Sequence, residues 1–89
     1  MSWQYHLRES TPHSKLETWH KGKYTVIAVT NMTERRVDIM IGDRIGRSPA
    51  MSNYDVEHIQ SLLDNNNVTE LRKLFIIEEV IRDGEDRHY

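Results

Sequence analysis

The sequence contains no cysteine, so neither a disulfide bond nor a thiolate zinc site can stabilise the fold. Secreted domains of this size usually carry such cross-links. The N-terminal residues 1–6 also lack a basic segment followed by an apolar run, which is what a signal peptide requires. We therefore expect a cytoplasmic protein.

Long apolar runs are missing as well. The longest extends from Tyr24 to Val29, whereas a membrane-spanning helix needs about 20 apolar residues. The sequence therefore predicts no membrane contact.

Signatures of metal binding and catalysis are equally scarce. The five histidines are scattered, and no two lie four positions apart on a predicted helix. No serine sits in a Gly-x-Ser-x-Gly turn. Glu78 and Glu79 form a carboxylate pair, but adjacent side chains diverge on a helix. We expect a non-enzymatic protein that binds no metal and no other cofactor.

The length of the chain limits what it can bury. Its 89 residues are 37% hydrophobic and 29% charged, which fits a single domain spanning residues 1–89 with a thin core. A partner protein or a second copy of the chain would cover more apolar surface. A homodimer is therefore one alternative that the composition leaves open.

Charge is unevenly distributed along the chain. Residues 15–47 carry seven basic and four acidic side chains, whereas residues 48–89 carry four basic and nine acidic ones. A basic middle followed by an acidic C-terminal half suits recognition of a charged partner.

The first half of the chain reads mainly as strands. Residues 3–8 alternate apolar and polar side chains, and the β-branched run Tyr24–Thr30 predicts a central strand. Arg36–Ile41 follows after a turn and completes an antiparallel hairpin, and a short extended piece is expected around Arg44. Residues 13–22 fit either a short helix or a strand, and the strand is favoured.

The second half reads mainly as helices. Ser52 is expected to open a first helix, with Asp55 reaching back to the cap. A second helix is predicted from Val68 to about Arg82, with Asn67 as its cap and a stop at residues 83–84. A buried strand over residues 75–80 is an alternative.

The fold class predicted from these elements is α+β. We expect a small antiparallel sheet of three or four strands in the N-terminal half, covered by one or two C-terminal helices. The predicted core consists of eight apolar side chains: Val26, Ile27, Val29, Ile39, Ile59, Leu62, Leu71 and Phe75.

These features favour a protein-binding module that acts as a small regulator or inhibitor of a larger protein machine, such as one that processes nucleic acid. The predicted contact residues are an aromatic anchor and four arginines, the types enriched in energetically dominant contacts: Trp19, Arg35, Arg36, Arg44 and Arg47.

Two other interpretations compete with this surface. The first is an acidic contact surface on the predicted helices, formed by Asp55, Glu57, Asp64, Glu70, Glu78 and Glu79. The second is a nucleic-acid-binding domain that uses the basic region 15–47 to contact phosphates and Trp19 and Tyr24 to stack bases.

Overall fold

The computed structural model describes residues 2–79, in which one antiparallel sheet carries two helices on one face. The six strands lie side by side in chain order. The elements are β1 (Gln4–Ser10), β2 (Ser14–Lys21), β3 (Tyr24–Asn31), β4 (Arg35–Ile41), β5 (Arg44–Arg47), α1 (Val56–Asp64), α2 (Val68–Leu74) and β6 (Ile76–Glu79).

The predicted α+β class is confirmed, but the sheet has six strands rather than three or four. The strands β1 to β4 match four strands that the sequence predicts. One of them is β2, for which the sequence favours a strand over a helix. The short extended piece near Arg44 joins the sheet as β5 and supplies the fifth strand.

The second helix ends at Leu74 and not near Arg82, so the longer helix is wrong, and the alternative of a strand over residues 75–80 agrees with β6 at Ile76–Glu79. Phe75 leaves the helix with extended backbone angles (φ −127°, ψ 145°), and residues 76–79 pair with β5. The β-branched pair Ile76-Ile77 prefers a strand over a helix. The predicted stop at residues 83–84 lies outside the described residues.

The core lies between the helices and the middle of the sheet. Alternate residues of β3 and β4 point to this helix face, because side chains alternate along a strand. The buried apolar side chains are Val26, Ala28, Val37, Ile39, Ile59, Leu62, Leu63, Leu71 and Phe75.

Two members of the predicted core are not part of it. Ile27 is only partly buried and Val29 is 36% exposed, because both lie on the face of the sheet opposite the helices. The apolar character of β3 on both sides therefore reflects one covered face and one uncovered face.

The first helix begins at Val56, not at Ser52 as predicted. Asn53 adopts a left-handed conformation (φ 48°), which a right-handed helix cannot contain. The hydroxyl of Ser52 instead accepts a hydrogen bond from the backbone N–H of Val37 at 3.0 Å. Asp55 takes over as the cap and accepts the N–H of Glu57 at 3.1 Å.

The start of the second helix agrees with the sequence. Asn67 is its N-cap, and the side-chain oxygen of Asn67 accepts the backbone N–H of Glu70 at 3.3 Å. The predicted cap is confirmed.

The core is packed closely where β5 meets β4. A Cβ added at Gly46 would lie 2.5 Å from Cγ1 of Ile39 and 3.4 Å from Cβ of Phe75. We predict that Gly46→Ala lowers the free energy of unfolding by about 1–3 kcal/mol, the usual effect of overpacking. Urea denaturation measures the loss, and Ile39→Ala, which removes the clashing atoms, should cost less stability in the Gly46→Ala background than in the wild type. An unchanged unfolding midpoint for Gly46→Ala would contradict this packing.

A matched pair of substitutions tests which face of the sheet is covered. Val37→Asp places a charge in a fully buried site and should cost several kcal/mol, on the order of 4. Val29→Asp should cost no more than about 1 kcal/mol, because Val29 faces solvent and pairs with Arg36 across the strands. Thermal unfolding followed by circular dichroism compares them, and equal losses would show that the face assignment is wrong.

Candidate functional site

A groove on the helix face has several aromatic side chains in its lining. It has a volume of about 620 Å³ and runs between the first two strands and α1. We call it the aromatic groove, and its lining residues are Trp3, Tyr5, Glu17, Trp19, Arg35, Asn53, Tyr54, Asp55, Val56, Glu57 and Gln60.

The register of the sheet brings the aromatic residues together. Tyr5 pairs with Trp19, and Trp19 pairs with Val26, so all three share the helix face. The rings of Tyr5 and Trp19 lie 5.3 Å apart between centroids and are tilted by 49°. Tyr5 is 49% exposed and Leu7, two residues further along β1, is 48% exposed. This part of the helix face is therefore open to solvent.

Glu17 contributes a carboxylate to the groove and contacts Tyr5. The hydroxyl of Tyr5 donates a hydrogen bond to Oε2 of Glu17 at 2.8 Å, and Nζ of Lys15 lies 3.9 Å from the same oxygen. The carboxylate is only 17% exposed. The hydrogen bond to Glu17, with lesser contributions from desolvation and from the negative charge, raises the pKa of Tyr5 above its usual value. Tyr5 therefore keeps its proton and acts as a donor.

One end of the groove is closed by the loop before α1. Nη1 of Arg35 donates to the backbone oxygen of Tyr54 at 2.8 Å and to Oδ1 of Asn53 at 3.5 Å. The hydroxyl of Tyr54 donates to the backbone oxygen of Leu74 at 3.1 Å. Arg35 thus holds the loop against β4, and its guanidinium is engaged in that contact.

The other end is closed by a cluster at the C-terminal end of α1. Asp64 accepts hydrogen bonds from Nζ of Lys21 at 2.8 Å and from the indole N–H of Trp3 at 3.3 Å. Glu57, Gln60 and Asp64 follow one another at spacings of three and four, so they share the side of α1 that faces β1 and β2. The cluster ties the N-terminus of β1 to the helix.

The five predicted contact residues do not form one surface. Trp19 and Arg35 line the groove, whereas Arg36 and Arg47 line a depression on the opposite, uncovered face. Nε of Arg36 lies 3.3 Å from Oδ1 of Asp38. Arg44 pairs with Ile41 at the start of β5, away from both sites.

The competing acidic surface is divided in a similar way. Asp55 and Glu57 line the groove, Asp64 closes one end of it, and Glu70 lies on α2 in an ion pair with Lys73 at 3.0 Å. The groove thus combines the predicted aromatic anchor with part of the predicted acidic surface.

Sequence reasoning did not connect Trp3, Tyr5 and Glu17 with Trp19. The signal was the alternation of Trp3, Tyr5 and Leu7, which places them on one face of β1. The pairing register with β2, which the sequence does not specify, decides that this face also carries Trp19.

The uncovered face of the sheet carries a second surface, which is mainly aliphatic. An aliphatic stripe crosses it diagonally from β2 to β5 and consists of Leu16, Ile27, Val29, Met40 and Ile45. Arg36, Asp38 and Arg47 flank it.

The comparisons add no further identification. Searches of protein families, curated proteins and solved structures find no match to this chain. Within residues 2–79, no three histidine, aspartate or glutamate side chains lie close enough together to hold a metal ion. The helices in that part of the chain are too short and polar to cross a membrane.

The ion pair at the end of the groove has a testable pH dependence. The hydrogen bond from Lys21, followed by that from Trp3, lowers the pKa of Asp64 below its usual value. The stabilisation from this pairing is present above the pKa of the unfolded chain and is lost as the pH falls through the lower pKa of the folded state. We predict that Lys21→Met raises the pKa of Asp64 towards its ordinary value, as measured by an NMR titration of the side-chain carboxyl carbon.

The control for this titration is Lys73→Met, which removes a lysine paired with Glu70 and should leave Asp64 unchanged. If Asp64 in the wild-type protein already has the ordinary pKa of an aspartate, the hydrogen bonds assigned to Lys21 and Trp3 are contradicted.

Proposed function

We propose that the chain is a non-enzymatic protein-binding module, a small regulator or inhibitor of a larger protein machine, and that the aromatic groove is its contact surface. The observation that carries the proposal is the pair Tyr5 and Trp19, held side by side on the helix face, with Tyr5 49% exposed and Trp19 partly buried against the core. Large aromatic side chains exposed in a concave surface are typical of energetically dominant contacts at protein interfaces.

The construction of the groove supports a role in binding. Both of its ends are fixed by hydrogen bonds, from Arg35 to the loop at one end and from Trp3 to Asp64 at the other. A preformed site loses less conformational entropy on binding than a flexible one. The groove volume of about 620 Å³ lies within the range of roughly 300–1,000 Å³ that is usual for binding pockets.

The nucleic-acid alternative has less support. The tyrosine and tryptophan residues of the described strands all lie on the helix face, and they are Tyr5, Trp19 and Tyr24. Carboxylates line the groove together with Tyr5 and Trp19. Arg36 and Arg47 lie on the opposite face, so the same surface cannot offer both stacking rings and these phosphate-binding groups.

The aliphatic stripe is the other candidate for a protein contact, including contact with a second copy of the chain. It has no large aromatic anchor among the described residues, which makes the groove the better candidate. The two surfaces lie on opposite faces of the sheet, so separate variants can test them.

Blocking the groove should abolish binding of the native partner. We predict that Gln60→Trp, which adds bulk on the groove side of α1, weakens partner binding at least tenfold in affinity capture from the native host. Ser61→Trp is the matched control, because Ser61 is the exposed neighbouring residue and does not line the groove. Both variants should melt close to the wild-type temperature.

The opposite pattern would overturn the proposal. If the Gln60→Trp variant binds the partner normally while Ile27→Asp, on the uncovered face, abolishes binding, the aliphatic stripe is the contact surface. If bound nucleic acid is recovered instead and its retention falls steeply with salt, the nucleic-acid alternative holds.

A further inference from the structure

We propose that the aromatic groove takes a lysine or arginine side chain from an extended basic segment of the partner protein. This inference rests on the proposed function and names the chemistry of the partner. The positive group would lie against the rings of Tyr5 and Trp19 and face the groove carboxylates.

The charge of the lining favours a cation. Glu17, Asp55 and Glu57 contribute three carboxylates, against one guanidinium from Arg35, so the lining carries a net charge of −2. The guanidinium of Arg35 is already engaged, since it donates to the backbone oxygen of Tyr54 at 2.8 Å. An incoming cation therefore meets carboxylates that no lining residue neutralises in full.

The aromatic lining favours the same charge. Cations are attracted to the faces of tryptophan and tyrosine rings within about 6 Å of the centroid, and tryptophan is the strongest partner. The chain already makes this contact at the end of the groove, where Nζ of Lys21 lies 5.9 Å from the centroid of a Trp3 ring. An anionic or wholly apolar segment would gain neither the cation–π attraction nor the attraction of the carboxylates.

Lys15 pairs with Glu17, which lines the groove. The ammonium of Lys15 lies 3.9 Å from Oε2 of Glu17; the Lys15 side chain is half exposed, whereas that of Glu17 is 17% exposed. An ion pair this long with one exposed partner contributes little stability, so a partner cation can displace it at small cost.

A peptide titration tests the charge requirement directly. The probes are three blocked heptapeptides of glycine with two arginines, two lysines or two citrullines, because citrulline keeps the shape of arginine without its charge. Two-dimensional NMR of the labelled protein follows the indole N–H of Trp19 and the backbone amides around the groove. We expect the arginine and lysine peptides to bind at least fivefold more tightly than the citrulline peptide.

Substitutions that preserve shape locate the site. Asp55→Asn with Glu57→Gln removes two groove charges while asparagine still caps α1, and should weaken the arginine peptide about fivefold. Glu34→Gln with Glu70→Gln removes the same net charge outside the groove and should have less than a twofold effect. Equal losses for the two double variants would show non-specific attraction and overturn the inference.

The outcomes separate this inference from the proposed function. If the citrulline peptide binds as tightly as the arginine peptide, or shifts appear only on the uncovered face, the cation inference is wrong. The groove remains the partner site in that case if Gln60→Trp still abolishes partner binding. If Gln60→Trp has no effect on partner binding, the proposed function fails whatever the peptides do.

Discussion

The mismatch between a broad sheet and a small helical layer determines the surface of this protein. Six strands spaced about 4.8 Å apart, four of them about 25 Å long, present roughly 600 Å² on each face. Two helices of nine and seven residues cover roughly 240 Å² when laid flat. The helices therefore seal the core over the middle of the sheet and leave β1 and β2 uncovered on the same side.

The placement of α1 turns this uncovered area into a groove. A polar network holds the loop before α1 at the point where the pairing of β4 with β5 ends. Asp38 accepts a hydrogen bond from the N–H of Ser48 at 2.9 Å, and Ser52 accepts one from the N–H of Val37. Arg35, two residues before Val37 on β4, holds the same loop through its hydrogen bond to the backbone oxygen of Tyr54. The helix therefore starts at a fixed distance from the aromatic residues, and contacts within the chain itself shape the groove.

The sequence predicts local structure well here because alternation and capping are local signals. The structure agrees with the predicted strands up to Ile41, including the strand over residues 14–21, and with the predicted cap at Asn67. Predictions that depend on contacts between residues distant in the sequence are less accurate. The predicted start of α1 is wrong because Ser52 forms a hydrogen bond with Val37, which is distant in the sequence. The predicted end of α2 is wrong because Phe75 enters the core beside β5.

The candidate site shows the same division between local and tertiary signals. Trp19 is predictable as an anchor from its residue type alone, and the structure places it in the groove. Its neighbours are set by the pairing of β1 with β2, and a shift of one residue in that register would move Tyr5 to the opposite face. The basic surface predicted around it does not form, since consecutive residues Arg35 and Arg36 lie on opposite faces of β4.

Site-specific photocrosslinking in the native host tests most directly whether the groove is a partner site. A photoreactive aliphatic residue with a diazirine, close to glutamine in size, lies in the groove at position 60 without blocking it, and the same residue at position 40 lies on the aliphatic stripe. The account predicts a discrete crosslinked partner protein from position 60 and none from position 40. The same partner crosslinked from position 40 and not from position 60 would contradict it.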